Sequence, residues 1–409
     1  MSALREDVPA TPATPRRFEE LEAYRGVAAL LIVVFHAYQF SREGSAAQRY
    51  VYEGTWLHYV LGNLDAGVAF FFALSGFLVF LPFARAAIDQ RGRQSARGYL
   101  IRRMIRIAPL YYAAIMLAWS LTYRGMRDQW IDLAEHLTFT QVFDSRHIFW
   151  DIGPAWSLSD ELLFYLLVAV LGSLAYRACR RLSAPRARVR VLLGCCLGLV
   201  ALSVGYKAAA FYVLNIPRTD YSAYFGPLAR LDTFASGMVV AVLTAAAAGR
   251  PRIRVAAAAT VRVAAFAVIG AAFATRTLGT AETIYFHTFC GFGVALLLAS
   301  TALAPRELAW TRLVANRRLQ VIGLVSYSVY MWHEPLMTQL ARHNVLISAA
   351  PRAFPANALA LIAATLAVAY VSYRIIEKPA LQLRHLFTRD GRWAEYYPPE
   401  PREYAASSA

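Results

Sequence analysis

Ten times along this chain a run of about twenty mostly apolar residues recurs, and this repetition constrains the fold more than any other feature. The runs fall near 24–40, 60–83, 104–123, 154–176, 191–214, 226–248, 255–275, 283–304, 319–341 and 356–376. Each has the length a helix needs to cross a hydrocarbon core about 30 Å thick. Inside a bilayer every backbone N–H and C=O needs a partner within the segment, which a helix supplies. The expected fold class is therefore all-α: a polytopic membrane helical bundle with about ten transmembrane helices. A mean hydropathy of +0.40 with only 17% charged residues agrees.

The net charge of +16 would suit a nucleic-acid partner if the basic residues formed one patch. They alternate instead. With the N-terminus assigned to the cytoplasm, the inner segments hold 27 Lys or Arg and the outer loops nine. This is the positive-inside pattern, with both termini cytoplasmic, and it points to a lipid bilayer rather than nucleic acid as partner. It divides the chain into a polar cytoplasmic N-terminal tail (1–23), a transmembrane domain (24–377) and a cytoplasmic C-terminal tail (378–409), in a multi-pass protein of the cell membrane. Cys179, Cys195, Cys196 and Cys290 lack CxxC spacing, so neither a zinc site nor a disulfide framework is expected. No metal is expected elsewhere.

Polar groups inside the apolar runs are the candidates for chemistry, because ionisable side chains in a membrane are expensive. Arg25 and His36, separated by ten residues, lie about 20° apart around one helix and roughly 16 Å apart along it. Arg103 and Arg106 share a helix face and suit a diphosphate, though arginines there also serve as topology signals reaching lipid phosphates. In Trp156-Ser157-Leu158-Ser159-Asp160-Glu161, Ser157 and Glu161 share a face. Ser157 or Ser159 can cap a helix, and Asp160 suits its N-terminal dipole; Glu161, followed by apolar Leu162–Val170, is explained less well that way. Ser326, Tyr330 and His333 fall on one stripe of a helix over 319–341, with His333 roughly 20 Å from its start, in the outer half. Ser75-Gly76 reads as a close-packing notch, or less readily as a nucleophile site.

Taken in order, Arg25-x10-His36, FFFALSGF (70–77), RRMIRIAPLYY (102–112), PAWSLSDELLFY (154–165), SYSVYMWHEP (326–335) and Glu377-Lys378-Pro379 resemble the acyltransferase 3 family of integral membrane proteins. The resemblance spans residues 22 to 379. It implies transfer of an acetyl or other short acyl group from an acyl-CoA donor to a hydroxyl of a sugar or glycoside acceptor. Relatives that modify cell-surface polysaccharides or acylate macrolide antibiotics set the range of acceptors, and 40 arginines against two lysines give the antibiotic-tailoring group a modest advantage by association. Carried over by residue, it makes His36, Glu161 and His333 catalytic and assigns Arg25, Arg103 and Arg106 to the coenzyme A phosphates. Ser157, Ser326 and Tyr330 become substrate-binding groups. Acyl-CoA is a co-substrate, and no permanently bound cofactor is implied. Two positions depart from the family's habit, Tyr24 before Arg25 and Asp160 before Glu161.

The expected mechanism has His36, polarised by Glu161, removing the acceptor's proton, with an acyl-imidazole on His36 as the variant. The alternative from a different class is a ten-helix transporter whose polar stripes line a substrate or proton path.

Overall fold

The computed structural model describes residues 19–383 except 44–48, 91, 93–94, 249, 280–283, 306–307, 315 and 347–352. The two tails expected at 1–23 and 378–409 lie largely outside the described residues. The described part of the chain is helical. In order the helices are α1 (Glu19–Phe40), α2 (Trp56–Leu61), α3 (Ala66–Asp89), α4 (Ala96–Thr122), α5 (Arg127–Thr138), α6 (Trp156–Arg180), α7 (Pro185–Ala208) and α8 (Tyr221–Phe225). They continue as α9 (Pro227–Ala247), α10 (Val255–Thr277), α11 (Phe286–Ala302), α12 (Leu308–Val314), α13 (Arg317–Leu324), α14 (Ser326–Arg342), α15 (Ala353–Ser372) and α16 (Lys378–Gln382). The described extended pairing is a two-residue antiparallel bridge, Arg42–Glu43 with Arg49–Tyr50.

Eight helices among the described residues are long and apolar enough to cross a membrane. Two of the ten expected crossings fall short of that standard. α11 is apolar but 17 residues long, and α14, also 17 residues, carries the polar stripe. The single helix expected over 319–341 is two helices, α13 and α14, broken at Val325. α13 is held against α1 at Gly323, where a Cβ would collide with the Glu22 carbonyl. That contact was invisible to a hydropathy count.

The core of the bundle is the α3–α9 seam. Cβ atoms added at Gly76 and Gly237 would strike the carbonyl oxygens of Phe234 and Ala73, so the two backbones touch. Small residues permit this approach where lipid offers no hydrophobic driving force. Gly76 is thus the expected notch. Phe234 stacks between Phe72 and Phe164 at centroid distances of 4.2 and 4.1 Å, which ties α6 to the seam.

Among the elements without a counterpart in the ten-span reading are α5 and the loop after it. α5 is a 12-residue amphipathic helix with Trp130 and Ile131 exposed. After it, residues 139–155 turn back into the bundle, burying Val142, Ile148, Ile152, Gly153 and Pro154. α6 therefore starts inside the protein, supported by this loop.

Candidate active site

α1 and α14 bring the two histidines together. His36 Nδ1 lies 2.8 Å from His333 Nε2, with ring centroids 4.9 Å apart. His333 is fully buried, and its Nδ1 sits 2.6 Å from the Tyr330 carbonyl oxygen. A carbonyl only accepts, so His333 Nδ1 carries the proton. In the neutral ring Nε2 is then an acceptor, His36 Nδ1 is the donor, and His36 Nε2 keeps its lone pair. Sequence spacing put His36 roughly 16 Å beyond Arg25 and His333 roughly 20 Å along one unbroken helix, in the outer half; with the helix broken at Val325 and α14 starting later, the two rings meet.

Glu161 is held elsewhere. Its Oε1 accepts from Ser75 Oγ at 2.8 Å and from Tyr165 OH at 2.5 Å. The partner of His36 in the structure is thus His333, whereas the expected mechanism had Glu161. Ser75 serves the carboxylate as a hydrogen-bond donor. On the other face of Tyr165 sits Arg103, its guanidinium carbon 5.1 Å from the ring centroid and 5.9 Å from that of Tyr99. Arg25 lies within electrostatic reach of Arg106, Glu22 and Glu161. Arg106 and Arg25 both act on Glu377, whose carboxylate takes a hydrogen bond from Ser328. The three expected arginines therefore share a neighbourhood with Glu161, Tyr165 and Glu377.

Ser157 and Tyr330 are in contact but satisfy one another. Their hydroxyls are 2.7 Å apart, and each lies 3.0 Å from the Pro154 carbonyl oxygen; with two protons for the three contacts, one hydroxyl donates to the other and the second to the carbonyl. This clamp fixes the start of α6 to α14 one turn from His333. No side chain caps α6, contrary to the capping role open to Ser157 and Ser159. Ser326 Oγ is buried without a hydrogen-bond partner.

With this geometry in view, the comparisons with known proteins decide the family. The sequence pattern of acyltransferase family 3, described as an acyltransferase domain, matches residues 18–374. The chain belongs to this family. Among similar proteins is one provisionally named the membrane-bound transacylase BcsY, of Komagataeibacter xylinus, 28% identical over 381 residues, covering 89% of this chain and 83% of that one. The exopolysaccharide production protein ExoZ of Rhizobium meliloti (strain 1021) is 25% identical over 81% of this chain and 93% of its own. The peptidoglycan O-acetyltransferase OatA of Listeria monocytogenes is 24% identical over 76% of this chain, which spans 50% of that protein's length. No solved structure matches significantly. The protein is a multi-pass membrane acyltransferase.

Sequence reasoning passed over a second polar group at the far ends of the helices, opposite the side on which α1 begins. Lys207 Nζ meets Asp232 Oδ2 at 2.6 Å, and Thr288 Oγ1 donates to the same oxygen at 2.5 Å. Arg276 binds Asp65 through two bonds of 2.6 and 2.9 Å. Arg230 and Asp160 are buried nearby. The available signal was a lysine and an arginine, Lys207 and Arg230, standing inside apolar runs, as Arg25 does. Glu135 of α5, with Asp144 and His147 of the loop that follows, brings potential metal-ligand atoms within 4.8 Å of one another. Arg146 already holds Asp144 at 2.6 Å, and His147 lies 3.0 Å from Glu135.

Proposed function

We propose that the protein is an O-acyltransferase moving an acetyl or other short acyl group from acyl-CoA to a hydroxyl of a carbohydrate or glycosylated metabolite, a macrolide glycoside among the candidates. The observation that carries this reading is the His36–His333 pair, which leaves His36 Nε2 as an oriented base inside a family of acyltransferases. In the reaction His36 Nε2 takes the acceptor hydroxyl's proton as its oxygen attacks the thioester carbonyl. The C–S bond then breaks, and the leaving thiolate recovers the proton from the imidazolium. His333 holds the ring orientation through Nδ1 and shares the positive charge that develops, an ordinary assignment for paired imidazoles.

Arg25, Arg103 and Arg106 would bind the donor's phosphates, since guanidinium pairs match phosphate oxygens. Their place on α1 and α4, toward the side where the positive-inside pattern puts the cytoplasm, suits a cytoplasmic donor. A pantetheine arm of roughly 15–20 Å spans from there to His36. The acceptor then arrives from the far face. A carbohydrate acceptor is also supported by relatives named for exopolysaccharide production and peptidoglycan O-acetylation.

The test is purified protein in lipid nanodiscs with radiolabelled acetyl-CoA and a panel of glycosides. Acceptor-dependent release of coenzyme A with label in the glycoside supports the reading. Movement of a glycoside across sealed vesicles without thioester consumption favours the transporter instead.

A further inference from the structure

Three acid–base pairs, buried but for a half-buried Arg276, line the far ends of the helices, and they are not alike. Lys207–Asp232 and Arg276–Asp65 are closed, with nitrogen–oxygen distances of 2.6 Å in each. The third, Asp160 at the second turn of α6 and Arg230 at the first turn of α9, is open. The two residues are 1% and 4% exposed and within electrostatic reach of each other. They nevertheless stand farther apart than the 4.0 Å of an ion pair. Both carboxylate oxygens of Asp160, and Nε of Arg230, are buried without a hydrogen-bond partner.

A buried carboxylate with two unfilled acceptors is costly unless something donates to it. Arg230 lies over aromatic faces, 4.6 Å from the Phe225 centroid and 5.3 Å from that of Trp156. Stacked in this way a guanidinium keeps its N–H edge directed in its own plane, available to an acceptor. Asp160 and Arg230 thus present two acceptor oxygens, a fork of donors and an apolar aromatic wall. A vicinal diol, with hydroxyls that both donate and accept and a C–H face to cover, matches that set.

The location fits the chemistry. Asp160 adjoins Glu161 in sequence and lies within electrostatic reach of Tyr330, whose ring centroid is 5.7 Å from that of His333. We propose that Asp160 and Arg230 form the hydroxyl-binding subsite for a saccharide acceptor entering from the far face. The inference rests on the acyltransferase reading and names the acceptor side of the same site. Asp160 receives sugar hydroxyls, Arg230 donates to a neighbouring hydroxyl or ring oxygen, and one further hydroxyl is left facing the histidine pair.

The experiment uses the full chain in nanodiscs, acetyl-CoA as donor and p-nitrophenyl glycosides as acceptors, with the best-used glycoside carried forward. Asp160→Asn and Arg230→Gln preserve shape while removing charge. Each should raise the acceptor KM by about tenfold or more, as expected for losing a hydrogen bond to a charged group, while the KM for acetyl-CoA stays within about twofold. Thermal unfolding separates binding from folding: at saturating glycoside the wild type should gain stability, and the two variants should not. Acceptor KM unchanged in both variants, with lower melting temperatures, would mean that water bridges a structural pair, and would overturn the subsite alone. Absence of any donor turnover in the wild type would overturn the acyltransferase reading and the subsite with it.

Discussion

His36 Nδ1 lies 2.8 Å from Nε2 of His333, and His333 Nδ1–H donates a hydrogen bond to the Tyr330 carbonyl oxygen at 2.6 Å. Each ring's tautomer follows from the next acceptor along, ending at a backbone oxygen whose role is fixed. The chain of bonds occupies the lone pair of His333 Nε2 and leaves that of His36 Nε2 outside the pair, where the proposed base would act. Replacing His333 by alanine removes the acceptor that selects this tautomer. Activity should fall about a hundredfold, the scale of a misplaced general base, with the fall in kcat and the donor KM nearly unchanged. A variant retaining most of its kcat would remove His333 from the mechanism.

Arg103 and Arg106 should act on the donor rather than on the reacting carbonyl. Charge reversal by Arg103→Glu or Arg106→Glu is expected to raise the acetyl-CoA KM by at least about tenfold, the value of a lost charge-assisted bond to phosphate. Part of the effect can appear in kcat, because remote binding energy also serves the transition state. Unchanged donor affinity in both variants would return these side chains to the role of topology signals.

The Ser157–Tyr330–Pro154 clamp makes a different kind of prediction. Both hydroxyls are already satisfied within the protein, so Tyr330→Phe should lower stability by about 1 kcal/mol. It should also lower kcat modestly, because α14 carries His333 one turn away. Acceptor KM reads out the alternative: a large rise on Tyr330→Phe, without loss of stability, would show the phenol binding substrate directly.

How much of this was legible in the sequence varies by residue. The helices of α1, α3, α4 and α6 follow from apolar length, and His36 and His333 were found because imidazoles are conspicuous in apolar runs. The histidine contact itself was not legible. Depth counted from residue 319 assumed one unbroken helix, whereas Gly323 packs on Glu22 and a new helix begins at Ser326. Glu161 was paired with the wrong partner for a similar reason. Tyr165 is one turn on, at the i, i+4 spacing that α6 does encode, but Ser75 approaches from another helix, which no spacing along α6 shows. Lys207 and Arg230 were visible as charges within apolar runs, yet their acidic partners come from α9 and α6 and only the fold assembles them.

The loop that supports α6 offers a pH-dependent test. Asp220 caps α8, accepting from Ala223 N–H, and binds Ser145 and Ser222. Hydrogen bonds, first from Ser145 and then from Ser222, hold its carboxyl below the ordinary carboxylate range. A lowered pKa contributes stability that is present above the ordinary value of about 4 and disappears as pH falls through the folded value. Asp220→Ala should therefore lower the melting temperature at pH 7, and the difference from wild type should shrink steadily below about pH 4. A difference independent of pH would show that the charge is irrelevant and only the shape of the cap counts.

The central claim is that His36 is the base of an acyl transfer, and one measurement addresses it most directly. Wild type and His36→Ala are purified in nanodiscs, matched for folding by thermal unfolding, and supplied with radiolabelled acetyl-CoA and the best glycoside acceptor. Label incorporated into the glycoside is followed over time. Acceptor-dependent labelling by the wild type and loss of at least about a thousandfold in His36→Ala, within the range for a missing general base, is the predicted result. A folded His36→Ala protein that retains a tenth or more of the wild-type rate would contradict it.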